Sequence, residues 1–169
     1  MFNKQVSTLL VALILAAPFA SAEMKIVVLD PVRAILESDE AKVLADAANA
    51  EMQPEQDELR AAAEEMQALQ AKLQKEGEVM SESERRKAIN DLESMQADIQ
   101  FGSQKLQKQV QDKRQEILQA MAPKYEKVLG DLIQIDQIDL ILSPNQVQYA
   151  NAKHDISRRV TEKLNEEAE

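Results

Sequence analysis

Between about Val32 and Leu132, apolar residues return every three or four positions among Ala, Glu, Gln and Lys, and few residues interrupt them. That period, filled with strong helix formers, predicts helix throughout. On the outgoing stretch Leu59, Met66, Leu73 and Met80 recur every seven residues with Ala62 and Leu69 between them, a heptad seam. On the return, Ile99, Leu106, Val110, Ile117, Met121, Val128 and Leu132 are spaced 7, 4, 7, 4, 7 and 4, an 11-residue repeat. Such a repeat favours straight or slightly right-handed packing. Between the two patterns lies GEVMSES, residues 77–83, where Ser81 or Ser83 can cap a new helix with Glu84 or Arg86 in its first turn. The pattern predicts two antiparallel helices that fold back near residue 80. Each arm of about 45 residues would extend roughly 70 Å at 1.5 Å per residue.

The period changes at both ends. KIVVLD, residues 25–30, is a short β-branched run closed by Asp-Pro, and reads as a strand with its stop. Near the other end IDLILS, a turn at Pro144-Asn145 and QVQYA read as a β-hairpin. A lone hairpin is marginal in water, so it calls for a third strand, and KIVVLD is the only candidate. Ile156, Val160 and Leu164 then form one stripe of a closing helix, capped by Asp155 or Asn151, that can cover a sheet face. The expected fold is mainly α with a small β body, in which a long helical hairpin projects from a three-stranded sheet unit. Residues 23–35 and 133–169 make the body, 36–132 the arm, and 77–83 its tip. A sheet so small is a poor core for one subunit, so it should oligomerise. Ile26, Val28, Leu140, Leu142, Val147 and Tyr149 are the candidates to line that contact.

Composition sharpens this picture. MFNKQVSTLLVALILAAPFASA carries Lys4, an apolar run from Leu9 to Ala17 and an Ala20-Ser21-Ala22 cleavage signal. It reads as a secretory signal peptide over 1–22, too short in its apolar run to stay in a bilayer. The mature chain is then expected to be exported and soluble in the periplasm. There is no Cys, which excludes disulfides and lipid attachment through Cys. Only Phe101, Tyr125 and Tyr149 remain as aromatics after the leader, too few for a rounded core and in keeping with an elongated molecule.

The formal charge is −10. Residues 51–84 hold ten acids and three bases, whereas 85–127 hold six acids and nine bases, so the two arms attract. Exposed pairs contribute only a few tenths of a kcal/mol each, and act on register more than on stability. Pro54 and Gly102 fall at nearly the same level of the hairpin, two helix breakers side by side that suggest a hinge.

Reactive chemistry is missing. The sequence has no phosphate-binding loop, no GxGxxG and no HExxH, and its single His154 cannot build a metal site or assist a nucleophile alone. The carboxylate groups Glu37-Ser38-Asp39-Glu40 and Glu82-Ser83-Glu84 read as solvated helix faces. No enzyme activity, cofactor or metal is expected, and an acidic chain without aromatic interleaving is a poor match for nucleic acid.

KIVVLDPVRAILES after a signal peptide, a long charged helical middle, and DLILSPNQVQYANAKHDISRRVTEKL at the end together resemble the Skp/OmpH family of periplasmic chaperones. Asp139–Leu142, Val147–Ala150 and Asp155-Ile156 match the family's tail pattern, with Ser157 where Thr is usual. The resemblance implies a homotrimer with a β body and three helical tentacles around a cavity. It implies that unfolded outer-membrane proteins are held there without ATP, ahead of membrane insertion. Met66, Leu69, Leu73, Met80, Ile99, Leu106 and Val110 are the residues expected to touch such clients, since Met- and Ala-rich surfaces repack against varied partners. The family's lipopolysaccharide patch finds its nearest match at Lys113-Arg114, with Lys105 and Lys108 on the same helix, while a further Lys of that patch falls on Gly102. Well-known members are basic and this chain is acidic. An envelope coiled-coil scaffold or adaptor, bridging fixed partners without holding clients, is the competing expectation.

Overall fold

The computed structural model describes residues 24–167; the leader expected over 1–22 lies outside them. The helical periodicity folds as α2 (Asp39–Glu76) and α3 (Glu82–Asp136), packed antiparallel. At 55 residues α3 extends roughly 80 Å. Ser81 begins it with a capping box: its Oγ accepts the Glu84 N–H at 3.3 Å, and the Glu84 carboxylate accepts the Ser81 N–H at 3.0 Å. The fold-back therefore falls where Ser81 and Glu84 predict it. Both helices run unbroken through Pro54, Gly102, Pro123 and Gly130. α3 ends instead at Gln137, whose φ of 52° turns the chain in the left-handed region.

One helix boundary escapes the sequence reading. α1 (Pro31–Leu36) stops before α2 starts, with Pro31 in its first turn and the Asp30 carboxylate accepting the Arg33 N–H at 3.0 Å. The break is made by Ser38, which has no exposed surface. Its hydroxyl donates to the Ile35 carbonyl at 2.7 Å and accepts the Ala41 N–H at 3.3 Å, closing one helix and opening the next. Glu37 and Asp39 are exposed on either side of this turn.

The two chain ends meet, but not as a three-stranded sheet. β1 (Ile26–Val28) pairs in parallel with β2 (Leu140–Leu142), Ile26 opposite Leu140 and Val28 opposite Leu142. The expected hairpin is absent: Pro144–Gln146 forms a single 3-10 turn, and no residue of 147–150 pairs within this chain. The far edge of β1 is taken by the chain entering the last helix, where the Ile156 N–H donates to the Val28 carbonyl at 2.9 Å. Pro144 fixes the backbone of the turn and withholds an N–H, so the strand-like sequence after it leaves the sheet instead of returning along β2.

The closing helix α4 (Ser157–Glu166) buries Ile156, Val160 and Leu164 as the stripe predicts. Asp155 accepts the Ser157 N–H at 2.9 Å at its start, while Asn151 caps the short turn Ala152–His154. These side chains join Val27, Leu29, Ala34 and Ile35 in one core, together with Ala41 of α2 and Ile117, Met121, Val128 and Leu132 of α3. α4 is held across this core by the Thr161 hydroxyl, which donates to the Ala34 carbonyl at 2.9 Å.

Candidate functional site

Two surfaces are open to partners: the sheet face at the body end and the flanks of the arm. In the parallel pair, Val27 points into the core while Ile26, Val28, Leu140 and Leu142 share the opposite face. Ile26 and Leu140 are partly exposed, and Tyr149 is 82% exposed beside them. Ile26 and Tyr149, together with Val28, Leu142 and Val147, line an open groove of about 410 Å³. Five of the six residues expected at the oligomer body line this groove, and Leu140 is paired with Ile26 beside it. The outer edge of β2 has no partner strand among the described residues.

Along the arm, Met66, Leu69, Leu73, Met80, Ile99 and Leu106 are half-buried. The seam between two helices covers one stripe on each and leaves its margins wet. Val110 is 47% exposed and stands off this seam. Over residues 82–116 of α3 the least exposed positions are Ala88, Leu92, Met95, Ile99, Gly102, Leu106, Gln109 and Lys113, which alternate steps of four and three. That heptad rhythm puts Gln109 where the 11-residue repeat would put Val110. Ile117, Met121, Val128 and Leu132 keep the 11-residue spacing and are buried, because the body supplies further partners there. Phe101, 71% exposed on α3, and the tip residue Val79, 87% exposed, lie outside the residues expected to touch clients. Neither belongs to a periodic stripe, so the search for periodicity could not select them.

The basic residues of α3 are largely engaged. Lys105 pairs with Glu55 at 2.7 Å and Lys113 with Glu51 at 3.0 Å, both across the two helices, while Lys108 pairs with Asp112 at 2.5 Å on its own helix. Arg114 is exposed and has no carboxylate within ion-pair distance among the described residues. Nearer the body Lys124 meets Glu40 at 2.6 Å. The arm-to-arm attraction is therefore realised as three pairs, which run from mid-arm toward the body. Hydrogen bonding from Lys105 holds the Glu55 carboxyl below its ordinary range, and hydrogen bonding to Glu51 holds the Lys113 ammonium above its own.

Gly102 has a packing role. A β-carbon there would stand 2.5 Å from the Leu59 Cδ2, so the glycine admits the leucine of the facing helix. Among the described residues no helix is long and apolar enough to cross a membrane, and no cluster of three or more metal-ligating side chains occurs.

Residues 25–164 match the family model for Outer membrane protein (OmpH-like). The chain is 34% identical over 158 residues to a Skp-like protein of Pseudomonas aeruginosa PAO1, covering 94% of each. In fold it resembles the crystal structure of an OmpH-like outer membrane chaperone from Caulobacter crescentus CB15. That match has a TM-score of 0.56 and 17% identity over 85% of each chain.

Proposed function

The chain belongs to the OmpH-like family, and from that premise we propose that it is an ATP-independent periplasmic holdase. In this reading a homotrimer holds unfolded outer-membrane proteins between its arms until they insert into the membrane. One observation carries it: the apolar sheet face and the open β2 edge lie at the body end, and a long hairpin leads away from them. Copies that cover the face would bring their arms around a common space. Val147 already has extended backbone, with φ −122° and ψ 136°, so the segment after it is suited to lie along a neighbour's sheet.

Client contact falls on the apolar side chains at the margins of the arm. Phe101 and Val110 are the most exposed large apolar residues of α3 before Ile135, and the half-buried margins of Met66, Leu69, Leu73, Met80, Ile99 and Leu106 extend them. Lipopolysaccharide has a smaller place in this reading. Lys105, Lys108 and Lys113 would have to leave their carboxylates to meet an anion, whereas Arg114 would not.

The test is dilution of a urea-unfolded outer-membrane β-barrel protein into buffer with and without the mature protein, followed by light scattering. Suppression of aggregation near one trimer per client is expected. A scaffold or adaptor would leave the scattering unchanged, and that result would overturn the holdase reading.

A further inference from the structure

Apart from its margins, the arm seam is apolar on both sides of one level, and at that level it is polar. From the tip inward α3 offers Ala88, Leu92, Met95, Ile99, Gly102 and Leu106 to the facing helix, then Gln109 and Lys113, before Ile117 and Met121 restore an apolar seam. Opposite them α2 carries Glu51, Pro54 and Glu55, with buried Met52 among them, before the Leu59 that fills the space at Gly102. The polar groups join one another: Lys105 to Glu55 at 2.7 Å, and Lys113 to Glu51 at 3.0 Å and Glu116 at 3.5 Å. Gln109 stands beside Glu55 and helps to lower its carboxyl's pKa, yet its own Oε1 is buried with no protein partner. Pro54 has no N–H to give the Ala50 carbonyl, so the α2 ladder is interrupted in the same layer.

We infer that this layer is an electrostatic joint. The arm is two apolar-packed levers, and at the level between them the ion pairs and the one buried side chain of Met52 hold the helices together. Each ingredient loosens the level it occupies. A missing helix hydrogen bond lowers the cost of bending, an unpaired amide oxygen gains a partner when water enters, and largely exposed ion pairs contribute little and yield to salt. The distal lever lacks cross-helix ion pairs among the described residues, so salt has nothing comparable to loosen there. Ionic strength would thus set how far the distal half of the arm swings, whether or not a client is present.

The absence of Cys in the natural chain makes the test direct. Spin labels at Val79→Cys and Val43→Cys, both exposed, bracket the joint, and Val79→Cys with Glu64→Cys measures the distal lever alone. Labelled chains are diluted with unlabelled chains so that only distances within one arm are read. Raising salt from about 0.05 M to about 1 M shrinks the screening length to roughly 3 Å. It should broaden the first distance distribution by about twofold or more and leave the second unchanged. In Glu55→Leu/Gln109→Leu, where apolar side chains replace the Lys105–Glu55 pair and the Gln109 amide and only the Lys113 pairs remain, the broadening of the first distribution by salt should fall by about half or more. Equal broadening of both pairs, no broadening of the first, or a salt response undiminished in the Leu/Leu arm would overturn the joint. Because no client takes part, failure here is separate from failure of the holdase reading.

Discussion

A β-carbon placed on Gly102 would meet the Leu59 Cδ2 at 2.5 Å, and this contact decides what the glycine is for. Glycine inside a helix costs about 1 kcal/mol relative to alanine, so Gly102→Ala gains propensity and loses packing at once. Leu59 meets the new methyl with the free end of its side chain, which can rotate away. Gly102→Ala should therefore change stability by less than about 1 kcal/mol, the two effects offsetting. In a Leu59→Ala background the obstacle is gone, and the same substitution should stabilise by about 1 kcal/mol. Urea unfolding of the four proteins measures this coupling, and equal effects in both backgrounds would remove Leu59 from the explanation. Sequence could pair Gly102 with Pro54 as two breakers at one level. It could not show that Leu59 fills the space at the glycine, because that depends on the register between two helices. Gln109 stands on the seam in place of Val110 for a related reason: one step along a helix is 100°, and spacing alone does not reveal where the heptad rhythm gives way to the 11-residue one.

At the scale of elements, the body is tied by contacts more than a hundred residues apart in sequence. Arg33 of α1 meets Asp155 at 2.6 Å, and the Asp30 N–H donates to the Ser157 hydroxyl at 2.9 Å, so the starts of α1 and α4 are clamped together. Burial by itself would push the Asp155 carboxyl up, but hydrogen bonds from Ser157 and Arg33 outweigh it and hold the group below its ordinary range. A carboxylate with a lowered folded pKa contributes stability that is fully present above the unfolded value, about 4. That contribution is lost as pH falls through the folded value. Asp155→Asn should thus lower stability at pH 7 and flatten the acid limb of a stability-against-pH curve below about pH 4; an unchanged limb would show that other carboxylates govern acid unfolding. The elements were legible where period and caps agreed, as at Ser81-Glu84 and along Ile156, Val160 and Leu164. They were not legible at Ser38, since ESDE reads as ordinary helix surface until the Ser38 hydroxyl is seen buried against the Ile35 carbonyl. Nor were they legible after Pro144, where strand-forming residues have no strand to pair with inside one chain.

That unpaired segment sets the question for the whole molecule. QVQYA has the composition of a strand, and it adjoins a sheet of two strands whose apolar face is bare. A sequence shows which residues favour a strand, but not whether the neighbour that pairs with them belongs to the same copy. If copies of the chain cover this face, Tyr149 and Leu140 should matter to assembly and little to the fold of one subunit. Tyr149 is 82% exposed here and lies outside the core cluster, so Tyr149→Asp removes no packing from the isolated body. In the assembly it would place a charge in an apolar contact, at a cost of several kcal/mol per copy. Light scattering should then report single subunits at micromolar concentration with an unchanged helical circular dichroism, and Leu140→Lys should do the same. Client holding would fail with assembly, because one arm without neighbours encloses nothing and each apolar contact would act alone, without the gain from linked contacts. Loss of holding with the oligomer intact would place Tyr149 in client contact instead. A Tyr149→Asp protein that stays oligomeric and active would move the assembly surface away from the sheet.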